Sequence, residues 1–337
     1  MAKISKSMAA NSKRAAATRL FVGSSPIPPF FLKNTEEIQK MNENIVKLIG
    51  NTPLVRINKL NPNKNVEIYA KLERFNPGGS VKDRIGLSMI EAAEKSGELT
   101  KDKIIMEPTS GNTGIGIAMV AAAKGYKSLL LMSESVSVER RKILKAYGAD
   151  ILLTDPKKGT DGAIEKAYAM AKEEPDKYVL LDQFNNENNW RAHFETTGKE
   201  IWEQTDGKVT MFVASMGTTG TLMGVSKRLK QFNPKVKIVG VEPNFGHKLQ
   251  GLKSLKEAYK PGIYNKNMVD EKVYIDDEDA FEMARKLTKE EGIFAGMSCG
   301  AAMHVAIEKA KELSEGLIVV LLPDGGEKYL STPLFEA

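Results

Sequence analysis

Four short stretches rich in small residues hold the side chains whose types and spacing suit chemistry. The first is Asn76-Pro-Gly-Gly-Ser-Val-Lys82-Asp-Arg84. Gly78 and Gly79 permit tight or positive-φ backbone just ahead of a predicted helix. Lys82 then falls in the first helical turn, where the helix dipole disfavours a cation. Two readings stand: a loop glycine pair with a solvated lysine, or a lysine held in a cleft with a lowered pKa, suited to a Schiff base. The second stretch is Glu107-Pro-Thr109-Ser110-Gly111-Asn112-Thr113-Gly114. Its hydroxyls, carboxamide and helix-start N–H groups suit a clamp for a carboxylate or phosphate; they suit equally a plain N-cap cluster with Thr109 or Ser110 as the cap. The third, Ser215-Met-Gly217-Thr218-Thr219-Gly220-Thr221, offers backbone amides that can cradle a phosphate. The fourth, Gly296-Met-Ser298-Cys299-Gly300, is weak alone, and Cys299 reads as a buried structural cysteine.

Several chemistries are disfavoured by the same residues. Gly111, Gly114 and Gly116 fall in the order G-x-x-G-x-G, which is not the dinucleotide fingerprint. No Gly-Lys-Ser/Thr follows the third stretch, so ATP chemistry is disfavoured. One cysteine and three scattered histidines (His193, His247, His304) give no metal site and no disulfide framework.

The elements that must position these residues follow from hydrophobic periodicity. Apolar runs at 65–72, 103–106, 128–132, 150–153, 178–181, 211–214, 236–241 and 317–322 predict strands. Amphipathic segments at 85–95, 114–124, 137–147, 220–229 and 279–289 predict helices, the first three ending at Gly97, Gly125 and Gly148. Short apolar strands alternating with helices predict an α/β fold, with parallel sheet covered by helices on both faces. All four small-residue stretches then lie at strand ends, where open parallel sheets bind ligands.

The chain has 337 residues, with 42% hydrophobic and 27% charged, an ordinary globular composition sized for two substantial cores. Its longest apolar run, 115–123, is too short for a membrane span. Lys3, Lys6, Lys13, Arg14, Arg19 and Lys33 precede the first acid, Glu36, and equal the whole net charge of +6. The 302 residues after position 35 are formally neutral, so the basic balance is no nucleic-acid footprint. Residues 1–43 read as a basic leader: an organellar transit peptide, a disordered tail or an appended sequence. The address is cytoplasmic, or an organelle matrix if the leader is a transit peptide.

A Schiff-base lysine, a carboxylate clamp, a phosphate cradle and a helix-start hydroxyl together imply one cofactor bearing an aldehyde, a phosphate and a ring nitrogen. That is pyridoxal 5′-phosphate (PLP). From Asn44 onward the motifs resemble the fold-type II PLP enzymes, and within them the cysteine synthase (O-acetylserine sulfhydrylase)/cystathionine β-synthase group. The resemblance rests on IGNTPLVRINKL (49–60), NPGGSVKDR (76–84), EPTSGNTGIGIA (107–118), ERRKILKAYGADILLTD (139–155), HFETTGKEIW (193–202) and EKYLST (327–332). It implies two three-layer αβα domains with twisted, mostly parallel sheets and PLP in the cleft between them. The smaller, mobile domain would be 76–186 with the carboxylate loop. The larger would be 44–75 plus 187–337.

By the same resemblance, Lys82 forms the Schiff base and Asn112 bonds the cofactor's 3′-oxygen. Gly217, Thr218, Thr219, Gly220 and Thr221 bind the 5′-phosphate, and Ser298 faces the pyridine nitrogen. Thr109, Ser110, Thr113 and Gln183 hold the substrate carboxylate. The implied activity is β-replacement, making L-cysteine from O-acetyl-L-serine and sulfide, in a homodimer that serine acetyltransferase can bind. O-phosphoserine as donor, cystathionine synthesis, sulfide release from cysteine and an inactive partner-binding relative are the competing readings. Two departures stand out. The phosphate loop reads GTTGT where the family usually has GTGGT, so Thr219 takes a glycine position. Lys253 stands where phosphoserine-using relatives carry an arginine; it reads either as a phosphate ligand or as a solvated lysine among Lys248 and Lys256.

Overall fold

The protein is described by a computed structural model covering residues 21–22, 25–26, 42–109, 111–134, 136 and 138–336. Residues 1–43 form a unit of their own, whose described part is an antiparallel pairing of Phe21–Val22 with Ser25–Pro26. The leader expectation otherwise falls outside the described residues. Among them, no helix is long and apolar enough to cross a membrane, and no cluster of His, Cys, Asp or Glu is placed to hold a metal ion.

Residues 44–337 carry two sheets. The larger has six strands in the order β9-β8-β7-β10-β2-β1, namely Glu271–Ile275, Lys237–Pro243, Met211–Ser215, Gly316–Leu322, Val66–Leu72 and Leu54–Arg56. All neighbours are parallel except β1, which runs antiparallel at the edge. The smaller sheet is wholly parallel, in the order β5-β4-β3-β6: Asp150–Thr154, Lys127–Ser133, Ile104–Pro108 and Tyr178–Leu180. Its central strands and those of the larger sheet are almost continuously buried, as parallel strands covered on both faces must be.

The helices that matter to the site start at strand ends. They are α1 (Lys82–Ser96), α2 (Asn112–Lys124) and, after β7, α7 (Gly220–Phe232). α9 (Met297–Glu312) follows α8 (Asp277–Glu291). Four further helices lie between α2 and β7: α3 (Val138–Ala146), α4 (Gly159–Glu173), α5 (Glu187–Ala192) and α6 (Gly198–Gln204). α1 and α2 cross at Gly86 and Gly116. A Cβ on Gly116 would stand 2.9 Å from the Lys82 carbonyl oxygen, and one on Gly86 would stand 3.0 Å from the Gly116 carbonyl carbon. Only glycine lets these helices touch, and the contact brings the starts of both to one cleft.

The reading of the strands and of the first helices holds, each within a few residues. α4 and the pair α5–α6, joined by a π-helical stretch at His193–Thr197, lay outside the periodicity reading. So did the edge strands β1 and β9.

Candidate active site

A cleft of about 990 Å³ is lined by residues from the ends of both sheets, including Lys82, Thr109, Asn112, Thr113, Gln183, Gly217 to Thr221, Lys253 and Ser298. Every described candidate from the sequence therefore meets at one place. Ser110 lies outside the described residues.

Lys82 is the first residue of α1. The turn before it is pinned to the end of β10: Val81 N–H donates to Pro323 O at 2.9 Å, and Lys82 N–H donates to Ser80 Oγ at 3.2 Å. The solvated reading of Lys82 is overturned, because its side chain is partly buried in the cleft wall. Burial lowers its pKa, while the charges of Asp324 and Glu73 partly offset this. Among the described residues no hydrogen bond reaches Nζ. An amine with a depressed pKa and no partner is poised to be a nucleophile or base.

Beneath Lys82 lies a buried charge network. Arg84 pairs with Glu73 at 2.7 Å and Glu200 at 2.6 Å, and Lys71 pairs with Glu200 at 2.7 Å. Burial alone would raise the Glu200 carboxyl, but Arg84 and Lys71 outweigh it and hold the group at about 2. The network anchors the first turn of α1. On the other side, Asp83 Oδ2 accepts the Gly78 N–H at 2.5 Å, and burial pushes its pKa up to about 7.

The carboxylate loop opens α2. Its N-cap is Gly111, and no side chain among the described residues caps the helix. The N-cap role is thus not taken by Thr109, whose Oγ1 only accepts the Gly111 N–H at 3.4 Å. Gly111, Asn112 and Thr113, at the start of the helix, line the cleft, where helix-start amides suit an anion. Thr113 Oγ1 donates to Gln183 Oε1 at 2.8 Å, and the Gln183 N–H donates to the buried Glu107 carboxyl at 3.3 Å. Burial raises the Glu107 pKa to about 8.

The phosphate loop follows β7. A Cβ on Gly217 would stand 2.6 Å from Gly251 O, and one on Gly220 would stand 1.8 Å from Asn189 Oδ1, so the cradle admits only glycine at both. Asn189 Nδ2 ties Thr218 Oγ1 at 3.0 Å to Gln183 O at 2.7 Å. Thr221 Oγ1 meets His193 Nε2 at 3.2 Å, and His193 Nδ1 meets Thr197 Oγ1 at 3.0 Å. Burial, with Arg84 and Lys82 nearby, holds the His193 pKa well below its ordinary value, so the ring is neutral. Thr219 has φ +66°, and its buried Oγ1 has no partner among the described residues. A strained residue whose buried hydroxyl is free to donate, set between the glycines of the loop, can serve a bound acceptor oxygen. A phosphate supplies one, so these residues fit PLP.

The solvated reading of Lys253 is also corrected. It is 6% exposed, and Nζ donates to Glu257 at 2.6 Å with Asp161 at 4.0 Å. Cys299 is buried, as expected, with Sγ 3.2 Å from Asp324 O.

Four cleft residues escaped the sequence reading, Asp324, Lys328, Tyr329 and Arg140, as did Asn189, buried behind the phosphate loop. Asp324, Lys328 and Tyr329 follow the predicted strand 317–322, so the strand-end rule that flagged the other loops also marks this one. Arg140, from α3, donates to Gln250 Oε1.

The profile of the family described as "Pyridoxal-phosphate dependent enzyme" matches residues 45–324. A cysteine synthase of Aquifex aeolicus is 50% identical over 312 residues, 90% of this chain and 95% of that one. Among solved structures, a cysteine synthase (OASS) from Entamoeba histolytica aligns with a TM-score of 0.85 and 41% identity, covering 89% of this chain and 92% of that one. A hydrogen sulfide-producing enzyme from Fusobacterium nucleatum aligns at 0.82 and 43%, covering 86% and 100%. With a profile match across most of its length, and a cleft whose lysine and glycine cradle fit the cofactor, this chain belongs to the pyridoxal-phosphate dependent enzyme family.

Proposed function

We propose that this chain makes L-cysteine from O-acetyl-L-serine and sulfide, releasing acetate, by β-replacement with PLP. The observation that carries the reading is Lys82, an amine of lowered pKa with no hydrogen-bond partner among the described residues, in the same cleft as a glycine-walled phosphate cradle. When bound, PLP supplies an electron-withdrawing ring that accepts the electron pair left at Cα when its proton departs.

The chain's own residues do the rest. Lys82 Nζ takes the Cα proton as general base, which burial favours by disfavouring the ammonium form. Thr109, Ser110, Thr113 and Gln183, with the start of α2, hold the substrate carboxylate. Gly217 to Thr221 hold the phosphate, and Asn112 the ring oxygen. Ser298, a neutral hydroxyl near the start of α9, faces the ring nitrogen without stabilising a proton on it. Arg140 and Gln250, bonded to each other, line the same cleft. We assign 76–186 to a smaller domain that closes over substrate, against a larger one of 44–75 plus 187–337.

Lys253 decides the donor. Its ammonium is already neutralised by Glu257, so a phosphate ester would have to displace that carboxylate, whereas an acetyl ester need not. Resemblance to similar enzymes extends the proposal to a homodimer, to serine acetyltransferase as a partner, and to the cytoplasm or an organelle matrix.

Purified protein is expected to be yellow, and borohydride to fix the cofactor on Lys82. A colourless protein that PLP cannot reconstitute sinks the reading. Steady-state comparison of O-acetylserine, O-phosphoserine, serine with homocysteine, and cysteine alone should give O-acetylserine the highest kcat/KM. If O-phosphoserine leads and Lys253→Ala abolishes that lead, the phosphate ester is the donor. If cysteine alone leads, the enzyme releases sulfide.

A further inference from the structure

One charged pair in the cleft wall has no part in the roles assigned above, and it meets at Asn112. Lys328, partly buried, donates from Nζ to Gly78 O at 3.3 Å, Gly79 O at 3.0 Å and Asn112 Oδ1 at 3.0 Å. An ammonium has three donors and no acceptor, so Lys328 is fully committed. Asp324, 2% exposed, accepts Asn112 Nδ2 at 2.7 Å and the Tyr329 hydroxyl at 2.6 Å, both on Oδ2.

The two charges therefore grip opposite ends of one carboxamide. Reversing that amide would aim N–H at an ammonium and C=O at a carboxylate, so only one orientation is allowed. It leaves a single N–H proton of Nδ2 uncommitted. Through the Gly78 and Gly79 carbonyls, the same lysine is bound to the turn that carries Lys82.

We infer that Lys328 and Asp324 are positioning residues for the cofactor: they fix the Asn112 amide so that its remaining N–H meets the ring oxygen of PLP, and they tie that amide to the Lys82 turn. The inference rests on the reading that this cleft binds PLP with Asn112 at the ring oxygen.

The test is an equilibrium titration of apoenzyme with PLP, followed by cofactor absorbance, on native protein, Lys328→Met, Asn112→Ala and the double variant. Lys328→Met should weaken PLP binding by about tenfold or more and shift the absorption maximum, and Lys328→Arg should recover most of both. If Lys328 acts through Asn112, adding Lys328→Met to Asn112→Ala should cost less than about twofold further. The inference is overturned if Lys328→Met binds PLP like native protein, or if its full effect persists on the Asn112→Ala background. Should Lys328→Met fail to fold, Asp324→Asn takes its place in the same cycle with the same two outcomes. Native protein that does not bind PLP at all would instead overturn the underlying reading.

Discussion

Thr219→Gly is expected to stabilise the apoenzyme and weaken its cofactor binding. Thr219 is a β-branched residue at φ +66°, and holding such a residue in the left-handed region costs about 1–2 kcal/mol. Its buried Oγ1 has no partner among the described residues, which costs about 1–3 kcal/mol. Against these gains, glycine adds about 0.4–1 kcal/mol of chain entropy to the unfolded state, and the lost methyl forfeits about 1 kcal/mol of burial. The net is a gain of about 2 kcal/mol, or a rise in Tm of roughly 3 °C for a chain of this size.

With phosphate bound, the sign reverses. The hydroxyl then donates to a charged oxygen, a bond worth about 1.5–3 kcal/mol, so the variant should bind PLP about 10- to 100-fold more weakly. Scanning calorimetry of resolved apoenzyme and a PLP titration read the two effects separately. An apo variant that melts no higher than native protein refutes the strain argument. Unchanged PLP affinity refutes the role of the hydroxyl.

Lys82→Ala should lose turnover by roughly 10³-fold or more with a Tm close to native, because Nζ makes no hydrogen bond among the described residues; a variant that keeps substantial activity refutes Lys82 as base. Glu200→Gln leaves Lys71 and Arg84 with one buried counter-ion fewer and should destabilise by about 3–5 kcal/mol in urea melts. Because Glu200 titrates at about 2 rather than its ordinary 4.5, its contribution of roughly 3 kcal/mol is present above pH 4.5 and is lost as pH falls towards 2. The variant should lack that acid limb. Glu107 has the opposite sign: the unfolded carboxyl ionises near 4.5 and the folded one near 8. Stability therefore falls by up to roughly 5 kcal/mol as pH rises between those values. Glu107→Gln does not titrate, so its Tm advantage over native protein should grow between about pH 5 and about pH 8.5; a constant difference refutes a neutral buried carboxyl.

The central strands were legible because parallel strands covered by helices show nearly unbroken apolar runs, as in Met211–Ser215 and Gly316–Leu322. The edge strands were not. Glu271–Ile275 alternates between exposed and partly buried residues until its last, and Leu54–Arg56 is exposed over two of its three, so neither carries an apolar run. The segment Glu187–Gln204 is polar and interrupted by a π-helical stretch, which breaks the 3.6-residue period. Lys253 read as solvated because its sequence neighbours are lysines. The fold sets Glu257 and the distant Asp161 against it instead.

That contrast separates two kinds of site residue. The groups that bind the cofactor's charge are backbone amides and small side chains within single loops, so five contiguous residues at 217–221 disclose them, and even the strain at Thr219 follows from one misplaced side chain. The groups that orient them are pairs: Arg84 with Glu200, 116 positions apart, Asn112 with Asp324, 212 apart, and Asn112 with Lys328, 216 apart. No local pattern encodes such a pairing, because Arg84, Glu200, Asp324 and Lys328 each taken alone look like surface charges. Loss of a loop glycine is therefore readable as damage from the sequence, since a Cβ there has nowhere to go. Loss of Lys328 or Asp324 reads as harmless until the fold shows that both hold the same carboxamide, and the cost then falls on the orientation of Asn112 and of the turn bearing Lys82.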